Sequence, residues 1–140
     1  MQHSNEVKLT MRIGVRFFEN NIVEAISGGI YKISVQANDE KQLLYIGESF
    51  SMLIRCATHL YSLKKNPEYF GFTEETIDRE DIVIIVEKLE KEADMKLRKD
   101  KEKTYIKDLH PIMQSEISDR MKSVDDKISA LEKFLSIENK

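Results

Sequence analysis

The chain has one cysteine, Cys56, which permits neither an internal disulfide nor a cysteine-based zinc site. It has no apolar run near the ~18–20 residues that a bilayer span requires, so no membrane-spanning helix is expected. Its first residues, "MQHSNEVKLT", lack the charged-then-apolar pattern of a secretory signal, and a cytoplasmic location is the expectation. An excess of positive charge is missing as well. Lys and Arg number 22 against 25 Asp and Glu, a net −3, which does not advertise a nucleic-acid binder. What is present is a 41% apolar fraction in 140 residues, enough for one domain with a modest core and an appended element.

The mean charge hides a distribution. "KLRKDKEKTYIK", residues 96–107, carries six basic side chains against two acidic ones, a local +4, whereas "TEETIDRED" (73–81) gathers acids. Such a stretch is either a solvated helix face laced with i,i+4 pairs or a face for phosphates, with Lys96, Lys99 and Lys103 as its candidate contacts.

"VKLTMRIGVRF" (7–17) alternates apolar and polar positions over eleven residues, which predicts a half-buried strand. "ENNIVEAISGG" predicts a short helical turn stopped at Gly28. Two strands follow, near 30–36 and 42–47, joined by the polar "ANDEK". Ser49 is placed to cap a helix running to about Leu63, with Leu53, Ile54, Ala57 and Leu60 on its buried side. "KKNPEYFGF" is a loop punctuated by Pro67 and Gly71. "DIVIIVE" (81–87) is a short β-branched run that predicts a central strand, and a helix over about 91–109 ends before Pro111. The order predicts an α+β fold, a small mixed sheet flanked by helices.

From Ser115 on, apolar residues fall at Ile117, Met121, Val124, Ile128, Leu131 and Leu135. Spacings of 4, 3, 4, 3 and 4 make a heptad seam. The helix they predict either docks on its own domain or forms a two-stranded coil between protomers. The narrowness of the seam favours the coil, and with it a homodimer. The expected divisions are an N-terminal strand extension (1–27), a central domain (28–114) and a C-terminal amphipathic helix (115–140).

Two tripeptides stand out in the central hairpin, Gly29-Ile30-Tyr31 and Tyr45-Ile46-Gly47. After the second, "YIGESFSMLIRCATH" places Ser49, then Arg55 ten residues beyond Tyr45, then His59 four residues later. Further on, "EKTYIKDLHP" sets Glu102 nine residues before Pro111. In this joint spacing the chain resembles the GIY-YIG nuclease family over 28–114, about 60% of its length. Gln114 departs from the pattern, because the family usually carries Asn three residues after that proline. The resemblance implies a site of Tyr31, Tyr45, Arg55 and His59 with Glu102 as metal ligand and Ser49 as a nucleic-acid contact. It also implies one tyrosine as base and the other as phosphate contact. Tyr31 is the preferred base here, and the assignment between the two stays open.

The residues themselves are consistent with that chemistry. Arg55 and His59 are i and i+4 and share a helical face. Without a serine or cysteine nucleophile paired to the histidine, the set is poor for acyl transfer. It suits phosphodiester hydrolysis. One carboxylate plus waters can hold Mg²⁺ (or Mn²⁺), and a guanidinium can clamp phosphate oxygens as charge develops. A tyrosine acting as base needs its ordinary pKa of about 10 lowered by neighbouring cations. Glu90 and Glu92 are rival carboxylates that miss the nine-residue distance to Pro111, and Cys56 is expected in the core. His3 and His110 show no metal spacing.

With 26 residues after Gln114, there is no room for the DNA-reading or zinc modules of the family's larger members. The function expected is a stand-alone, metal-dependent endonuclease of the restriction or phage type, cutting DNA (or RNA). The alternative is an inactive module of the same fold that binds nucleic acid or protein through its basic helix and C-terminal coil.

Overall fold

The elements follow one another as β1 (Gly14–Phe17), a 3-10 turn (Glu24–Ile26), β2 (Gly29–Ala37), β3 (Glu40–Ser49) and α1 (Met52–Lys65). Two further 3-10 turns (Pro67–Phe70 and Thr76–Asp78), β4 (Ile82–Lys91) and α2 (Met95–Leu109) complete the order. This computed structural model describes residues 12–114, 128–129 and 131–135. The fold is α+β, with one mixed sheet in the order β1-β4-β2-β3 and helices against it. β2 runs antiparallel to β3 and β4, and β1 lies parallel to β4 at the edge. Of the strand expected over 7–17, the part up to residue 11 falls outside the described residues. Val15 is more exposed than the alternation predicts.

The hairpin is longer and tighter than expected. β2 and β3 pair from Gly29↔Ser49 to Ala37↔Glu40, leaving only Asn38 and Asp39 as the turn. Asn38 sits at φ 57°, a left-handed conformation that asparagine tolerates. β4 also runs four residues past the expected Glu87, because its far end keeps pairing with Gly29 and Ile30. α2 therefore begins at Met95 instead of 91. Asp94 caps it, its carboxylate accepting from the Leu97 N–H at 2.9 Å.

Side chains of adjacent strand residues point to opposite faces, so the sheet carries two apolar layers. The larger contains Tyr31, Ile33, Val35, Leu44, Ile84 and Val86 with Met52, Cys56 and Leu63 of α1. The smaller is Ile30 and Ile46 with Ile106 of α2, flanked by Leu43, Leu89 and Tyr105. Each helix thus covers its own face.

β3 is the outer strand opposite β1, and its edge is covered. The chain after α2 turns back along it, with the Ile112 and Met113 N–H groups donating to the carbonyls of Leu43 and Leu44. Gln114 completes the cover. Its Oε1 accepts from the Ile46 N–H at 2.8 Å and its Nε2 donates to the Ile46 carbonyl at 2.9 Å. One buried side-chain amide does what a neighbouring strand would do, and this blunts an exposed edge.

Of the heptad seam, Ile117, Met121 and Val124 lie outside the described residues. Residues 131–135 are helical, and Leu131 and Leu135 are buried within the large core of the same chain. In this packing those two seam positions face the chain's own domain. No helix among the described residues is long and apolar enough to cross a membrane.

Candidate active site

Tyr31 lies directly opposite Gly47 in the hairpin register, and Tyr45 opposite Ile33. The four positions share one face, so both phenols point toward α1, their rings 6.4 Å apart. A register irregularity leaves Leu44 as an extra residue between Leu43 and Tyr45. Such bulges re-aim the side chains beside them, and here Leu44 and Tyr45 both turn inward. Gly47 has a steric cause. A Cβ built there would lie 2.3 Å from the Tyr31 hydroxyl, so the phenol occupies the space a side chain would take. A Cβ at Gly29 would likewise meet the Glu90 carbonyl oxygen at 2.3 Å.

α1 presents a different stripe from the one expected. Its buried residues are Met52, Cys56, His59 and Leu63; Leu53 and Leu60 are half-buried, and Ile54 and Ala57 are exposed. The helix is turned by about one residue from the reading based on hydrophobicity. Cys56 is in the core, as expected, but on the same stripe as His59. The cap is Ser51, not Ser49. Ser49 ends β3, and its hydroxyl accepts from the Ser51 N–H at 3.1 Å, bracing the strand-to-helix turn.

The turn of α1 brings His59 under the two tyrosines. Tyr31 Oη and His59 Nε2 are 2.8 Å apart, and His59 Nδ1 and Tyr69 Oη are 2.7 Å apart. The His59 ring also packs edge-on against Tyr45 at 5.0 Å and beside Phe70 at 6.0 Å. Arg55 stands at the exposed rim, its guanidinium beside the Tyr31 phenol and near those of Tyr45 and Tyr69.

Burial dominates the electrostatics. Tyr31 is wholly buried, and the loss of water pushes its phenol well above the ordinary value; Tyr45 and Cys56 add to this, and Arg55 opposes it. The expectation that nearby cations lower the Tyr31 pKa is therefore not met: one guanidinium does not offset full desolvation. Burial, then Arg55, depresses His59 to about 4, so the imidazole is neutral at pH 7. For Arg55, partial burial works against the charge, but the three phenols outweigh it and the guanidinium is held charged.

Tyr31, Tyr45, Arg55 and His59 thus come together as one cluster. Compared with protein-family models, curated proteins and solved structures, the chain matches none.

The other candidates lie elsewhere. Glu102 is half-buried on α2, one turn from Arg98 and one from Ile106, on the helix that covers the Ile30/Ile46 face of the sheet. The tyrosines line the opposite face. Lys96, Lys99 and Lys103 are exposed on the same helix, and Lys99 donates to Glu48 at 3.2 Å. The rival carboxylates Glu90 and Glu92 both pair with Lys101. Arg98, 6% exposed, binds Glu48 at 2.8 Å and the Ala93 carbonyl at 2.8 Å, pinning the start of α2 to the end of β3. Burial raises the Glu48 carboxyl, but Arg98 and Lys99 outweigh it and hold the pKa below its ordinary value.

Among the described residues no group of three or more His, Cys, Asp and Glu is placed to hold a metal ion. A single carboxylate is a hard oxygen donor of the kind Mg²⁺ takes together with water, and Glu102 fits on that count.

Tyr69 and Phe70 are absent from the residues singled out in the sequence. Their signal was there in part, as an aromatic pair between Pro67 and Gly71 in the loop after the Arg/His helix. Pro67–Phe70 coils into a 3-10 turn, capped by the Asn66 side chain and closed by Gly71 at φ 88°. That turn folds both rings back onto His59.

Proposed function

We propose that the chain is a metal-dependent phosphodiesterase of the GIY-YIG nuclease kind, an endonuclease acting on DNA. The observation that supports this most is the convergence of Arg55, at the exposed rim, with half-buried Tyr45 and the buried Tyr31 and His59, from residues far apart in the chain. Charge, planarity and exposure suit Arg55 to hold two non-bridging phosphate oxygens in a bidentate clasp, strengthening as charge builds in the transition state. Tyr45, half-buried beside it, is the phenol placed to contact the phosphate or the attacking water. Tyr31, hydrogen-bonded to His59 and beside Arg55, orients the guanidinium. Glu102 is the carboxylate that would hold Mg²⁺ or Mn²⁺, a metal that would supply polarisation of a phosphate and stabilisation of a departing oxygen. Glu102 lies on α2, against the sheet face opposite the tyrosines, so the roles of Arg55 and Tyr45 do not depend on it.

A second reading is an inactive binding module of the same architecture. It is favoured by the complete burial of Tyr31 and the position of Glu102 on the helix behind the tyrosine face. In that case the tyrosine–histidine cluster is a satisfied polar core.

Nicking of supercoiled plasmid with Mg²⁺ or Mn²⁺ separates the two. The nuclease reading expects cleavage that EDTA stops and that Glu102→Ala reduces by at least an order of magnitude. Cleavage indifferent to Glu102→Ala removes the metal assignment. Absence of wild-type cleavage on duplex DNA, single strands and RNA selects the binding module.

A further inference from the structure

Tyr69 lies outside the motif residues, yet it makes one of the two ring-nitrogen contacts of a histidine that is 1% exposed. We propose that the Tyr69 hydroxyl fixes His59 in its Nδ1–H tautomer and thereby, through Tyr31, sets the aim of Arg55.

The direction of each hydrogen bond follows from what the groups are able to do. A guanidinium only donates, so the Tyr31 oxygen must turn a lone pair toward Arg55. The Tyr31 hydroxyl is wholly buried, and leaving its own proton without an acceptor costs about 1–3 kcal/mol. Of the two partners beside it, only His59 Nε2, at 2.8 Å, can accept. A neutral imidazole that accepts at Nε2 carries its proton on Nδ1. That proton points at the Tyr69 oxygen, 2.7 Å away. The chain runs from Arg55 to the Tyr31 oxygen, from the Tyr31 O–H to Nε2, and from Nδ1–H to the Tyr69 oxygen. No proton is transferred in it; each bond fixes the sense of the next.

Taking the Tyr69 hydroxyl away leaves the buried Nδ1–H without its acceptor, and the tautomer with the proton on Nε2 gains ground. Nε2–H then donates to the Tyr31 oxygen and competes there with Arg55. The 3-10 turn holding Tyr69 follows α1 directly, so the helix that supplies Arg55 and His59 also carries their brace. Tyr69 is a positioning residue in this scheme. Its kinetic consequence rests on the reading of Arg55 as phosphate clamp, whereas the tautomer does not.

Ring-nitrogen NMR on the full chain tests the two parts separately, with His59→Gln identifying the His59 signals among those of three histidines. The wild type is expected as the Nδ1–H tautomer at pH 7. Tyr69→Phe, which keeps the ring packing, is expected to raise the Nε2–H population. It should also slow single-turnover plasmid nicking about ten-fold at unchanged KM. Tyr69→Leu serves as the second variant, checked for fold by circular dichroism. A wild-type Nε2–H or cationic ring overturns the proposal, as does a Tyr69→Phe spectrum with an unchanged tautomer. A tautomer shift in a protein that cuts no nucleic acid upholds the lock and defeats the nuclease reading instead.

Discussion

At the scale of single residues, the two glycines of the hairpin answer two steric demands, Gly29 that of the Glu90 carbonyl and Gly47 that of the Tyr31 hydroxyl. Tyr31 lies over Gly47, so the small residue and the large one are a pair. Gly47→Ala is expected to cost about 1–3 kcal/mol through overpacking, seen as a lower urea midpoint with unchanged slope. His59 gives a second residue-scale prediction. Its folded pKa of about 4 lies below the unfolded value of about 6.5, so between them the unfolded chain binds more protons. Stability is then fully present above the unfolded pKa and is lost as pH falls toward 4. The slope approaches about 1.4 kcal/mol per pH unit in the middle of that window. Of the groups near the ring, Arg55, Tyr31 and Cys56 are all shifted upward, away from that window. The slope should therefore be weaker in His59→Gln, measured by urea unfolding from pH 7 to 4.5. Equal slopes in both proteins contradict the buried neutral histidine.

At the scale of elements, the edge of β3 depends on one side chain. Gln114 pairs both backbone groups of Ile46, the middle residue of Tyr45-Ile46-Gly47. Gln114→Ala is expected to cost about 1–3 kcal/mol by leaving a buried N–H and C=O unpaired, with faster hydrogen exchange at the Ile46 amide. Unchanged exchange at Ile46 removes this role. The elements also show what could be read in advance. The hairpin, the β-branched β4 and both long helices were legible, because periodicity, turn residues and Pro111 mark them locally. The rotation of α1 was not. Leu53 and Ile54 look more buried than Cys56 and His59 by hydrophobicity alone, but the buried partners of His59 are hydroxyls supplied by Tyr31 and Tyr69. Neither hydroxyl is adjacent in sequence, so the satisfaction that permits a buried histidine is visible only once β2 and the Pro67 turn are in place.

At the scale of the whole molecule, two faces of one sheet carry different parts of the candidate site. The tyrosine cluster was foreshadowed by motif spacing, and the structure assembles it. Spacing could not tell on which face the helix carrying Glu102 would pack, since that depends on which strand residues turn toward Ile106. The C-terminal seam was equally ambiguous, as heptad spacing suits a coil or a docked helix. With Leu131 and Leu135 in the chain's own core, Leu131→Ala is expected to lower stability by about 2–5 kcal/mol, independent of protein concentration. A melting temperature that rises with concentration in the wild type and not in Leu131→Ala points to a coil between protomers instead.

The central claim, that the rim around Arg55 clasps a phosphate during hydrolysis, is tested most directly by the single-turnover rate of plasmid nicking in Mg²⁺ for wild type and Arg55→Ala. The account predicts a rate lower by about 10²–10³ in the variant at comparable DNA affinity, as expected for a donor that acts in the transition state. Nicking by Arg55→Ala at the wild-type rate would contradict it.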